Sequence, residues 1–127
     1  MKKLLRKKLL IIRNSIPLLD QINLSEKITQ NVISTEEWKK SKTIMLYISI
    51  NSEVMTLKLL SNAIEENKRI VLPKVVRNNI IPITLNKNFK LLSGYMGILE
   101  PIEGEKFEGL IDLAIIPLVG FDLQGYR

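Results

Sequence analysis

Apolar positions along this chain fall into two patterns. From Lys2 to about Ile16, Leu5, Leu9, Ile12 and Ile16 recur at helical spacing and make one apolar stripe, which predicts an amphipathic helix. Pro17 closes it, and Asp20 to Leu24 reads as a polar connection. Ser25 is a plausible N-cap for a second helix, with Ile28, Val32 and Ile33 facing inward. Thr35-Glu36-Glu37-Trp38 predicts a short capped turn whose Trp packs on the core.

The second pattern is a continuous apolar run. Thr43–Ile50 (TIMLYISI), Arg69–Pro73 (RIVLP) and Ile111–Ile116 (IDLAII) are rich in β-branched residues and have hardly a polar break, as strands buried on both faces do. Asn51-Ser52 makes a turn after the first. A helix follows from about Val54 to Glu66, with Leu60 and Ile64 at i, i+4 beside Leu59 and Ala63, ending near Asn67. Asn78-Asn79 turns into Ile80–Leu85, Asn86-Lys87 turns out again, and Gly94 to Pro101 reads as a structured loop. Strand, helix, strand with unbroken apolar strands predicts a single α/β domain over residues 1–127: a mostly parallel central sheet with helices on both faces and right-handed crossovers.

Composition narrows the chemistry. With no cysteine and no histidine, disulfides, thiol nucleophiles and the commonest general base are excluded. Carboxylates, Lys, Arg, Tyr, backbone groups or a bound cofactor must do the work. No apolar run approaches the ~20 residues of a membrane span, and no secretory pattern is visible, so the expectation is a cytoplasmic protein without a membrane partner.

Charge changes the picture in one place. Six of the 19 basic residues (Lys2, Lys3, Arg6, Lys7, Lys8 and Arg13) lie in the first helix with no acid among them. The other 13 balance the 13 acidic residues, so the whole excess of +6 sits on that helix. A nucleic-acid groove would spread its basic residues and interleave aromatics, so no nucleic-acid partner is expected. At ~100° per residue, Lys2, Arg6 and Arg13 fall within about 40° of one another at the stripe's edge, while Lys3 and Lys7 point towards solvent. The row can be read either as a solvated flank with snorkelling stems or as the wall of a crevice.

Three polar clusters follow the three strands: Asn51 to Glu53, Pro73-Lys74, and Pro117 to Arg127. All stand at carboxyl ends, where a parallel sheet binds its ligand, so one site fed by three loops is expected. Glu53 has two readings at this stage. It can interact with a helix dipole and first-turn N–H groups, or it can accept two N–H donors of a flat heterocycle. Tyr47 is expected in the core.

These residues carry a resemblance to the 5-formyltetrahydrofolate cyclo-ligases, also called methenyltetrahydrofolate synthetases. Lys2-Lys3-Leu4-Leu5-Arg6 resembles the family's K-x-x-L-R, and Tyr47 through Glu53 to Thr56 its strand followed by E-x-x-T. Leu72-Pro73 resembles its L-P, and Gly97-Ile98-Leu99-Glu100-Pro101 its G-I-x-E-P. Asp112 through Pro117 to Phe121-Asp122, with Gly125 and Arg127, resembles D…P…F-D-x-x-G-x-R. Each motif is short. Their specificity lies in their order along nearly the whole chain.

The resemblance implies an ATP-dependent cyclisation of 5-formyltetrahydrofolate to 5,10-methenyltetrahydrofolate, with ADP and phosphate released; a monomer is expected. In the family mechanism the formyl oxygen is phosphorylated, a neighbouring folate nitrogen attacks the carbon, and phosphate departs. Such chemistry relies mainly on positioning and charge stabilisation, which suits a site without His or Cys. By the same resemblance Lys2, Arg6 and Arg127 contact ATP, whereas Ile48 and Glu53 contact the folate. This favours the crevice reading of the basic row.

In the family a glycine-rich run, G-x-G-x-G-Y-Y-D, follows soon after G-x-R. It closes on the phosphates and carries an aspartate for Mg2+. It is not in these residues. The chain is therefore expected to be a cyclo-ligase cut short before its ATP loop, with its magnesium ligand elsewhere and little activity as written. A non-catalytic folate-binding remnant and a sugar-phosphate or CoA-type enzyme of the same architecture are the alternatives.

Overall fold

In a computed structural model of the chain, residues 2–85, 91–93, 99–101 and 105–127 are described. The expected turn at Asn86-Lys87 and the Gly94 to Ile98 part of the expected loop lie outside them. The elements run α1 (Lys2–Asn14), α2 (Leu18–Ile33), α3 (Glu36–Lys40), β1 (Thr43–Met45), α4 (Leu57–Glu65), β2 (Arg69–Val76), β3 (Asn79–Thr84), β4 (Leu91–Ser93), β5 (Leu99–Pro101) and β6 (Leu113–Ala114). A four-stranded sheet has the order β3-β2-β1-β6, and β4 and β5 form a separate antiparallel pair.

β1 pairs in parallel with β2 on one side and β6 on the other, and only β2–β3 is antiparallel. The sheet is thus mostly parallel, as the apolar runs predict, and α4 is the crossover between β1 and β2. Leu59, Leu60 and Ala63 of α4 pack on Ile44, Leu46, Ile48, Ile70 and Leu72 of the sheet side, and Trp38 closes the cluster. Ile64, predicted inward, is exposed because the buried face of α4 is centred on Leu59 and Ala63. The helix stops at Asn67, whose φ of 57° is left-handed. There the N–H groups of Asn67 and Lys68 donate to the carbonyls of Ile64 and Ala63, a Schellman closure.

Proline sets where the ladders end. β2 runs past the predicted Pro73 stop to Val76, because Pro73 sits opposite Pro82 of β3. The Pro82 carbonyl accepts the Phe107 N–H, so it faces away from β2 and this proline pair costs the β2–β3 ladder nothing. On its other side the missing N–H matters. Leu46 N–H donates to the Val71 carbonyl at 3.0 Å. The next rung would run from residue 73 to the Leu46 carbonyl, and proline cannot make it. Consequently β1 is a three-residue ladder, not the eight residues of the predicted Thr43–Ile50 strand, and Leu46 to Ile50 continues beyond the pairing. The hairpin turn is Arg77-Asn78, one residue earlier than the sequence suggests. Both have positive φ (49° and 67°), as the two-residue turn that matches strand twist requires.

Four further expectations are corrected. Ile111–Ile116 is not buried on both faces: β6 has β1 as its neighbour at the edge of the sheet, and half-buried residues alternate with exposed ones. Asp20 to Leu24 is not a connection, since α2 runs unbroken from Leu18 and nothing in 18–33 breaks a helix. Ser25 is therefore mid-helix and buried, where its hydroxyl accepts the Met55 N–H at 3.0 Å. The inner face of α2 is Ser25, Thr29, Val32 and Ile33, which leaves Ile28 outside. The Thr35 cap and buried Trp38 are as predicted, with the Trp38 N–H on the Thr35 hydroxyl.

Candidate functional site

The carboxyl ends of β1 and β6 point the same way, and the loops that leave them carry most of the polar residues singled out above. The loop after β6 is shaped by its own aspartate. Asp122 Oδ1 accepts the N–H groups of Gln124 and Tyr126, each at 2.9 Å, and the Asp122 N–H donates to the Tyr126 carbonyl. Gly125 takes φ +87°, the left-handed conformation this closure needs. The F-D-x-x-G-x-R pattern thus has a local cause: the aspartate and the glycine fold the loop back on itself at Tyr126.

Between this loop and the N-terminal half of α1 lies a cleft of about 670 Å³, a size usual for small-molecule sites. Leu5, Leu9, Leu118 and Phe121 give it apolar walls, and Lys2, Lys3, Arg6 and Arg127 supply its cations. Among the described residues its one lining side-chain carboxylate is Asp122, already engaged by backbone N–H groups. The result is an apolar slot with a positive rim, suited to a flat ligand with an anionic tail. Leu9 approaches Gly120 so closely that a Cβ there would meet Leu9 Cδ1 at 2.5 Å.

Lys2, Arg6 and Arg127, the residues that the resemblance assigns to ATP, are therefore brought together on one cleft. Two neighbours behave differently. Lys3, expected to face solvent, also lines the cleft. Arg13, expected with Lys2 and Arg6, serves the other end of α1, where its Nε–H donates to the Ser52 hydroxyl at 2.8 Å. Leu5 and Ile12 of the predicted stripe stay exposed, and α1 has no fully buried residue.

Ser52 belongs to the turn after β1, next to Glu53. The Glu53 carboxylate does not serve the α4 dipole, since α4 begins only at Leu57 and has no acid in its first turn. Instead Oε1 accepts the Ile50 N–H at 2.9 Å, and the Glu53 N–H donates to the Ile50 carbonyl. A carboxylate has further lone pairs, so this half-buried group keeps acceptor capacity. Below it, Tyr47 donates its hydroxyl to the Val54 carbonyl at 3.0 Å. Burial pushes that hydroxyl up to about 12, nearby Glu53 adds to the rise, and Arg13 opposes it. Thr56 ties the turn to the strand: its hydroxyl donates to the Tyr47 carbonyl and accepts the Ser49 N–H. Ile48 is in the hydrophobic core, not in the cleft wall.

Sequence reasoning placed Ser52 in a polar cluster of the site without a role, placed Lys3 in solvent, and missed Asn14. Ser52 and Asn14 carry no periodic or compositional signal, and only the docking of α1 reveals them. Among the described residues no three His, Cys, Asp or Glu side chains gather as a metal group, and no helix is long and apolar enough to cross a membrane.

Comparison with known proteins agrees with this fold. Residues 1–127 match the family model of the 5-formyltetrahydrofolate cyclo-ligase family. The solved 5,10-methenyltetrahydrofolate synthetase of Aquifex aeolicus superposes with a TM-score of 0.88 at 38% identity, over 99% of this chain and 65% of that one. The synthetase of Mycoplasma pneumoniae gives 0.72 at 30% identity, over 94% of this chain and 65% of its own. The 5-formyltetrahydrofolate cyclo-ligase of Haemophilus influenzae is 25% identical over 122 residues, 91% of this chain. The match spans 65% of that relative's length.

Proposed function

The chain belongs to the 5-formyltetrahydrofolate cyclo-ligase family, and from that premise we propose that it serves the ATP-dependent conversion of 5-formyltetrahydrofolate to 5,10-methenyltetrahydrofolate. The observation that carries the reading is the convergence of Lys2, Arg6 and Arg127 on one cleft, at the end of a helix whose other end holds the Glu53 turn. Phosphoryl transfer asks for cations around the transferred group and for an oriented acceptor. The four cleft cations meet the first need. The Glu53 carboxylate meets the second, by accepting N–H donors of the folate ring system. The formyl oxygen attacks the terminal phosphorus and ADP leaves. A folate nitrogen then attacks the activated carbon, which expels phosphate.

Magnesium would arrive on the nucleotide's phosphate oxygens and neutralise part of their charge. The residues of this chain do the rest: Lys2, Lys3, Arg6 and Arg127 attract and orient the phosphates, and the apolar walls exclude water from one side. In this reading the protein is a cytoplasmic monomer acting on a small folate, and Ile48 shapes the site by supporting the turn from within the core.

The test is calorimetric titration with ATP and with 5-formyltetrahydrofolate, alongside an optical assay for the methenyl product. Binding of both ligands is the expected signature of a cyclo-ligase, with little product formed by the chain as written. Folate binding without ATP binding would instead make the chain a folate-binding form of the fold, and binding of a phosphosugar in place of folate would overturn the assignment.

A further inference from the structure

The turn that carries Glu53 is held from two directions. On the body side, Tyr47 takes the Val54 carbonyl, Thr56 takes the Tyr47 carbonyl, and Ser25 receives the Met55 N–H. On the helix side, among the described residues, the Ser52 hydroxyl makes the connection. Ser52 Oγ accepts from Arg13 Nε at 2.8 Å and donates to Asn14 Oδ1 in a short contact. Its donor and an acceptor lone pair are thus both in use. Ser52 is half-buried and adjoins the residue whose carboxylate folds back on Ile50.

The other end of the same helix is the wall of the cleft. α1 is 13 residues long, about 20 Å at 1.5 Å per residue, and is a single rigid element. Since none of its residues is fully buried, its seating depends on few contacts. Leu9 rests on Gly120 at the cleft, and Arg13 and Asn14 hold Ser52 at the turn. A change in how α1 sits at one end must therefore be felt at the other.

We propose that Ser52 is a positioning residue that couples the two halves of the site, transmitting the seating of α1 against an anionic nucleotide to the turn that presents Glu53 to the folate. The inference rests on the cyclo-ligase reading and adds to it a residue that touches neither ligand. Nucleotide held by Lys2 and Arg6 fixes α1 on the cleft, the Arg13–Ser52–Asn14 contacts fix the turn, and the folate then meets an ordered carboxylate. The ordering cost falls on the first ligand and is spared the second.

The experiment compares the chain with Ser52→Ala and with Ser52→Thr, which retains both hydrogen-bonding roles. Without ligand, amide exchange at Ile50 is expected to quicken about tenfold in Ser52→Ala, the effect of one lost hydrogen bond. Exchange at Val71, inside the sheet, should not change, and Ser52→Thr should behave like the parent. With ligands, a non-hydrolysable ATP analogue should tighten 5-formyltetrahydrofolate binding in the parent and in Ser52→Thr. In Ser52→Ala that tightening should vanish while affinity for the analogue alone is kept. If the parent binds both ligands and Ser52→Ala leaves Ile50 exchange and the mutual tightening unaltered, the coupling is wrong. A parent that binds neither ligand overturns the cyclo-ligase reading, and the coupling with it.

Discussion

Leu9 of α1 occupies the space where residue 120 would carry a Cβ, with its Cδ1 at 2.5 Å from that position. The glycine is therefore what lets the helix lie against the loop that forms the opposite wall of the cleft. Gly120→Ala is expected to destabilise the protein by about 1 kcal/mol, the low end for overpacking, because the clashing atom is the end of a flexible side chain. Pairing it with Leu9→Ala should return part of that loss. A double-mutant cycle in chemical denaturation measures this, and strict additivity would show that the two residues are not in contact.

The cleft cations should act as a group. Lys2→Ala, Arg6→Ala and Lys3→Ala are each expected to weaken ATP binding by about tenfold or more, in the range of a charge-assisted contact of about 1.5–3 kcal/mol. Lys7→Ala, outside the cleft lining, should change it little. Titration calorimetry at one fixed ionic strength suffices. Equal, small losses at all four positions would mean that the row is only a solvated flank.

For Glu53, the informative change is to Gln, whose carbonyl oxygen can still accept the Ile50 N–H. The turn should survive, whereas the second acceptor of a paired contact is lost. Affinity for 5-formyltetrahydrofolate is expected to fall about ten- to a hundredfold, with melting temperature nearly unchanged. Unchanged folate affinity would confine Glu53 to closing the turn.

Two groups make stability depend on pH in opposite senses. The N–H groups of Lys42 and Thr43 both donate to Asp112 Oδ2, at 2.8 and 2.9 Å, and together they hold its carboxyl below the usual carboxylate value. A depressed carboxylate stabilises the fold above its unfolded pKa, and that contribution is lost as pH falls through the folded value. Asp112→Asn should therefore flatten the acid limb of a melting-temperature profile. Tyr47 does the reverse. Its hydroxyl is raised from 10.0 to about 12, so its contribution is complete below pH 10 and disappears as pH climbs through about 12. Tyr47→Phe should be less sensitive over that alkaline window, which thermal melts at pH 9 to 12 would show.

Much of this was legible in the residue pattern, and the reasons differ by element. Arg69–Pro73 is read correctly as strand because β2 is flanked on both sides, so its apolar run reports true burial. The same kind of run at Ile111–Ile116 misleads, since composition cannot tell a central strand from an edge. Ser25 looks like a cap because serine at the head of an apolar pattern usually is one, yet here a neighbouring turn uses its hydroxyl inside the fold. The grouping of Lys2, Arg6 and Arg127 follows from motif order, whereas the split between Arg13 and the rest depends on where α1 docks along its length. Helical angle fixes a side chain's direction but not what stands opposite it.

The basic helix along one wall of the cleft also gives the molecule an electrical polarity. Six positive charges lie on α1, and the remaining residues sum to zero. An approaching polyphosphate therefore meets an attractive field at one pole only and is turned towards the cleft before contact. The encounter rate should fall steeply as salt rises past about 0.1 M, where the Debye length shrinks to ~10 Å. The Glu53 turn, at the far end of the helix, has Arg13 as its share of this charge, so a ligand that docks there is drawn less strongly than one that enters the cleft.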